Sequence, residues 1–131
     1  MIVVDASAMT ELLLRTAVGA RVEARLLRDG DALHAPHLID IEVVQALRRF
    51  VRLGDLDLIR AQQSLEDLIL FDVVRHPHHD LLGRTWELRD NLSAYDGMYI
   101  ALAEALDAPL ITCDRPLGSA PGHVARVEVI R

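Results

Sequence analysis

Two short apolar runs, "MIVVD" at residues 1–5 and "LITCD" at residues 110–114, each end in an aspartate. Runs this brief, rich in β-branched residues and without polar alternation, read as strands buried on both faces. Such strands need helices above and below them, which restricts the chain to layered architectures around a parallel sheet. The intervening segments supply those helices. Ser7 is placed to cap a helix through "AMTELLLR", and Gly19 separates it from "ARVEARLLRDG", which Gly30 closes. "DALHAP" is a brief strand stopped by Pro36. "HLIDIEVVQALRRFVRLG" sets Ile39, Val43, Val44, Leu47, Phe50 and Val51 at helical spacing. "DLDLIRAQQSLEDLIL" repeats the amphipathic pattern before a further strand, "FDVVRH". "LLGRTWELRDN" predicts a helix with Trp86 as a core anchor, and "SAYDGMYIALAEAL" the next one. "VARVEVI" alternates as a final strand after the turn-rich "RPLGSAPG". The expected fold class is α/β: a three-layer α/β/α sandwich with a mainly parallel central sheet, in one domain over residues 1–131.

Composition narrows the function classes. With 51% apolar and 26% charged residues, the chain can bury a core. No apolar run is long enough to span a bilayer, and Asp5 interrupts the first one before it could serve as a signal peptide. The single cysteine, Cys113, excludes an internal disulfide framework and reads as a small buried strand residue. A cytoplasmic protein with no membrane association is the expectation. The net charge of −6 argues, taken alone, against a nucleic-acid binder. Every basic residue is arginine, however, and "ALRRFVR" groups Arg48, Arg49 and Arg52. Arginine's planar fork suits phosphate, although a solvated helix face accounts for Arg48 equally well.

Four acids are the candidates for chemistry. Asp5 and Asp114 end two strands at the sheet edge where parallel α/β folds bind ligands. On helical wheels Glu42 flanks its apolar stripe beside Ala46. Asp96 flanks the stripe of Tyr95, Tyr99, Leu102 and Leu106. Each acid has a plain structural alternative. Asp96 can complete a capping box with Ser93, Asp114 can cap a turn before Pro116, Asp5 can cap or pair with an arginine, and Glu42 can pair with Arg49. Those alternatives do not explain why all four suit one sheet edge. Converging carboxylates repel one another, and a hard divalent cation such as Mg²⁺ removes the conflict and attracts phosphate.

"MIVVDASAM", "HLIDIEVVQALRR" and "LSAYDGMYIALAEALDAPLITCDRPL", in this order and spacing, resemble the PIN-domain ribonucleases, more narrowly the VapC toxins of bacterial toxin–antitoxin pairs. The resemblance implies catalytic residues at Asp5, Glu42, Asp96 and Asp114, with Asp5, Asp96 and Asp114 as metal ligands. It implies a Mg²⁺- or Mn²⁺-dependent endoribonuclease, structured RNA such as tRNA as substrate, a VapB-like antitoxin partner and a homodimer. Some relatives carry another acid just after the fourth; here Pro116, Leu117 and Gly118 follow.

Ser7 and Thr112 are placed to hydrogen-bond a ligand or phosphate. His76, His78 and His79 in "RHPHHD" read as a solvated turn. Two other function classes compete. One is a catalytically silent PIN-like binding module, against which the presence of all four acids speaks. The other is a phosphotransfer or phosphatase α/β protein, which would place an acid at Ser7 or a lysine in the site; the chain contains no lysine.

Overall fold

The structure, a computed structural model, describes all 131 residues. The opening run forms β1 (Ile2–Val4), each of its residues fully buried. It pairs in parallel with β2 (Leu33–Pro36) on one side and β4 (Leu110–Thr112) on the other. β3 (Val73–His76) and β5 (Val127–Val129) complete a five-stranded sheet of order β3-β2-β1-β4-β5, with every pairing parallel. Burial of Ile2, Val3, Val4, Leu110 and Ile111 accounts for the absence of alternation in the two runs. Each such side chain contributes roughly 1.5–3 kcal/mol on leaving water.

Helices α1 (Ala6–Leu14), α2 (Ala17–Leu27), α3 (Leu38–Arg52) and α4 (Leu58–Leu70) pack on one another as one group. A second group follows a 3₁₀ turn at His79–Leu81 and comprises α5 (Leu82–Glu87) and α6 (Ala94–Leu106). α7 (Arg115–Ser119) closes against β5. The result is the expected three-layer α/β/α sandwich. α6 is buried at every position from Gly97 to Ala103 and lies against β1, β2 and β4. Arg84 anchors α5 to it with a bidentate bond to Glu104, at 2.9 and 3.1 Å.

The topology fixes where a site can form. From β1 the chain steps outward to β2 and β3, then returns past β1 to reach β4 and β5. The C-terminal ends of β1 and β4 therefore flank the switch point, where the following loops diverge and open a crevice.

Four local expectations are corrected. Trp86 is 68% exposed rather than a core anchor, because the six-residue α5 turns Thr85 inward and the following Leu88 fills the core. Its indole instead lies under the Arg89 guanidinium, 4.7 Å from the ring centre. The cap of α1 is Asp5, not Ser7, with Ser7 in the first turn. The final strand is only Val127–Val129, and Val124 is exposed. The histidine turn is not simply solvated. His76 Nε2 lies 2.8 Å from His34 Nδ1, and His78 Nε2 accepts the Leu38 N–H at the start of α3.

Candidate active site

Asp5 emerges from the C-terminal end of β1, where its N–H still donates to Ile111 O of β4. Asp5 is only 5% exposed, and its carboxylate sits in a cradle of donors. Oδ1 accepts from Ser7 Oγ at 2.6 Å and from Ala8 N at 3.0 Å; Oδ2 accepts from Thr112 Oγ1. Thr112 also accepts the Asp114 N–H at 3.0 Å, and Ser7 accepts the Cys113 N–H at 2.9 Å. Two hydroxyls thus join the ends of β1 and β4 beneath Asp5. A carboxylate offers about four acceptor directions, so these donors leave one on Oδ2 for another ligand.

Glu42 projects from α3 and accepts the Tyr99 hydroxyl of α6 on Oε1 at 2.7 Å. Its Oε2 receives no protein donor. Asp96 lies one turn before Tyr99 on α6, where Ser93 caps its N–H at 3.1 Å. Asp114 occupies the cap position of α7, but its side chain makes no capping bond. The local alternatives resolve accordingly: Asp5 does cap, Ser93 caps α6, and neither the Asp114 cap nor a Glu42–Arg49 ion pair forms.

The four acids enter no ion pair with any arginine. The charges that act on them are one another's. Burial, with a smaller contribution from Asp96, raises the Asp5 carboxyl above the usual carboxylate range despite its three donors. Burial likewise raises Glu42, and Asp5 and Asp96 push it further. Asp96 is raised by burial and then by Asp114. The Tyr99 hydroxyl is raised by burial and by Glu42, which keeps it a proton donor. Burial pushes the neighbouring Cys113 thiol up to about 11, so it is no nucleophile at neutral pH.

These residues fit a hard divalent cation in their donor chemistry: oxygen ligands, partial burial and uncompensated negative charge. No three acidic, histidine or cysteine side chains are close enough to form a finished cage. Mg²⁺ needs no such cage, since it commonly takes one or two carboxylates and keeps several waters. Tyr99, which holds the Glu42 carboxyl, is the residue of this candidate site that sequence reasoning assigned only to an apolar stripe. The available signal was a hydroxyl-bearing aromatic three residues after an acid.

The PIN domain family model matches residues 2–121. Ribonuclease VapC1 of Mycobacterium tuberculosis is 40% identical over 130 residues, covering 98% of this chain and 97% of its own. Ribonuclease VapC12 of the same organism is 43% identical over 133 residues, covering 99% of both chains. Among solved structures, PAE2754 from Pyrobaculum aerophilum aligns with a TM-score of 0.66 at 27% identity, over 95% of this chain and 87% of that one. VapC20 of M. tuberculosis, described as a sarcin–ricin loop cleaving toxin, aligns with a TM-score of 0.68 over 95% and 97% of the two chains. At 19% identity that likeness concerns the fold.

Proposed function

This chain belongs to the PIN-domain family, and from that premise we propose that it is a divalent-metal-dependent endoribonuclease of the VapC type. The observation that carries the reading is the buried Asp5, cradled by Ser7, Ala8 and Thr112, whose charge is felt by Glu42 and Asp96, with no arginine paired to any of the three. A fold does not retain such repulsion for stability; a ligand of opposite charge gives it a purpose.

Asp5, Asp96 and Asp114 would hold the ion, Mg²⁺ or Mn²⁺. When bound, it would lower the pKa of the attacking water and stabilise charge on the phosphoryl oxygens. The chain's own groups position the remaining partners. Ser7 and Thr112 fix the Asp5 carboxylate, and Tyr99 fixes the Glu42 carboxyl through Oε1. The open Oε2 of Glu42 orients the water and accepts its proton. Pro116, Leu117 and Gly118 supply no additional carboxylate after Asp114, which favours one tightly held ion.

The substrate in this reading is structured RNA such as tRNA, and the natural antagonist is a VapB-like antitoxin. Exposed Val44, Leu53 and Leu58 near the α3–α4 turn support self-association as a homodimer. No helix is long and apolar enough to cross a membrane, which accords with a cytoplasmic toxin.

The test is cleavage of total tRNA by the purified protein with Mg²⁺, with EDTA, and after metal is restored. Wild type should cut, stop in chelator and recover, while Asp96→Asn stays silent under all three conditions. Cleavage that continues in EDTA, or that survives in Asp96→Asn, overturns the mechanism. RNA binding without cleavage in Mg²⁺, or in Mn²⁺ put in its place, would return the chain to the class of silent binding modules.

A further inference from the structure

A second cleft, about 430 Å³, opens between α3 and α6 directly beside Glu42. Its wall carries Tyr95, which precedes Asp96, together with Gln45 and Arg49, one and two turns along α3 from Glu42 and Ile41. The Tyr95 side chain is 60% exposed, at the start of a helix whose next turns are buried. The Arg49 guanidinium makes no hydrogen bond or ion pair, although Glu42 lines the same cleft, and lies 5.4 Å from the centre of the Phe50 ring. Neither the Gln45 amide nor the Tyr95 hydroxyl has a protein partner. An aromatic face, an amide and a free guanidinium thus surround one opening that a candidate catalytic acid, Glu42, also lines.

We propose that this cleft binds one unstacked nucleotide of single-stranded RNA next to the scissile phosphate, its base on Tyr95 and its phosphate on Arg49. The proposal rests on the nuclease reading and adds to it a subsite outside the metal centre. Single-stranded RNA is recognised through splayed bases that stack on aromatic or guanidinium planes, with amides reading their edges. Arg49 neutralises the phosphate that the acids alone would repel, and a bidentate fork suits it. A second copy of the chain is the competing occupant. The free polar groups favour the nucleotide, because the Arg49 guanidinium matches its phosphate and the Gln45 amide a base edge, while the Tyr95 ring is left open for stacking.

Binding to an unstructured, fluorescein-labelled oligoribonucleotide should be measured by anisotropy on EDTA-stripped protein, alongside kcat and KM with Mg²⁺ and sedimentation velocity. Tyr95→Leu should raise Kd by roughly ten-fold and raise KM more than it lowers kcat, whereas Tyr95→Phe, which keeps the ring, stays near wild type. Arg49→Gln should lower the slope of log Kd against log salt by about 1. Unchanged Kd and KM in Tyr95→Leu overturn the proposal. So does a shift in sedimentation without a shift in Kd, which would make the face a contact between copies. Tyr95-dependent binding in a protein that never cleaves would sink the nuclease reading and leave the subsite standing. Cleavage indifferent to Tyr95 would do the reverse.

Discussion

At Asp5 two demands fall on one side chain. Oδ1 caps α1 through the Ala8 N–H, while the carboxylate carries a charge that burial and Asp96 both disfavour. The two can be separated by substitution. Asp5→Asn keeps an oxygen for Ala8 and Ser7 but removes the charge. In metal-free protein it should melt no lower than wild type, yet its RNA cleavage should fall by at least about 100-fold. Asp5→Ala should lose activity and also about 0.5–2 kcal/mol of stability with the cap. Retained cleavage in Asp5→Asn would remove Asp5 from the mechanism. Thr112 tests the cradle itself. Thr112→Val withdraws a donor from a buried carboxylate oxygen and an acceptor from the Asp114 N–H, and should cost about 1–3 kcal/mol in urea unfolding. Thr112→Ser should restore most of that loss; equal loss in both would assign the effect to packing.

At the scale of elements, backbone contacts fix the first helical pair. A Cβ at Gly19 would lie 2.1 Å from Glu11 O, so α2 meets the end of α1 with nothing between. Gly19→Ala should destabilise the protein by about 1–3 kcal/mol. Gly83 has open space around it, and Gly83→Ala should stabilise α5 by up to about 1 kcal/mol. Equal effects at the two glycines would refute the close approach. The β2–β3 edge is joined to α3 by histidines: His34 meets His76, the His37 N–H donates to His76 O, and the Leu38 N–H donates to His78. Burial first, and then the neighbouring His76, lowers the His34 pKa. A lowered histidine contributes stability that is whole above its unfolded value, about 6.5, and is lost as pH falls through the folded one. The stability difference between wild type and His34→Gln should therefore shrink from pH 7.5 to pH 5.5 in urea titrations. A pH-independent difference would show that the pair is not linked to protonation.

The same comparison of elements explains what the sequence could disclose. All five strands were readable: β1 and β4 as unbroken apolar runs, β5 from its alternation, and β2 and β3 as short stretches between helical patterns, β2 stopped by Pro36. Asp5 and Asp114 could be placed because the end of a strand is a position along the chain. Trp86 misled because burial depends on which side of a six-residue helix faces α6, and Thr85 beside Gly97 occupies that side. The choice between Asp5 and Ser7 as cap was open because either satisfies the preference. The Tyr99–Glu42 bond joins residues 57 apart and exists only once α3 and α6 are neighbours. No local pattern encodes it.

For the molecule as a whole, unfolding stability should report the proposed metal site without any RNA. Asp5, Glu42 and Asp96 all have raised carboxyl pKa values in the folded chain. In the window between the unfolded values, about 4, and the raised folded ones, the native state binds more protons than the unfolded state. Stability from these groups is therefore whole below about pH 4 and is lost as pH rises through the folded values. A divalent cation binds the ionised form and supplies what protonation otherwise supplies. Its stabilisation should consequently grow with pH, following mass action on the native state. Thermal unfolding with and without 10-fold-stepped Mg²⁺ at pH 5 and pH 8 should give the larger rise in Tm at pH 8. In Asp5→Asn and Asp96→Asn the rise should be small at both pH values, because each variant removes one of the charges the ion offsets. A rise of the same size at both pH values, or one that persists in both variants, would place Mg²⁺ elsewhere on the protein and leave the carboxylates at the β1–β4 switch without their counter-ion.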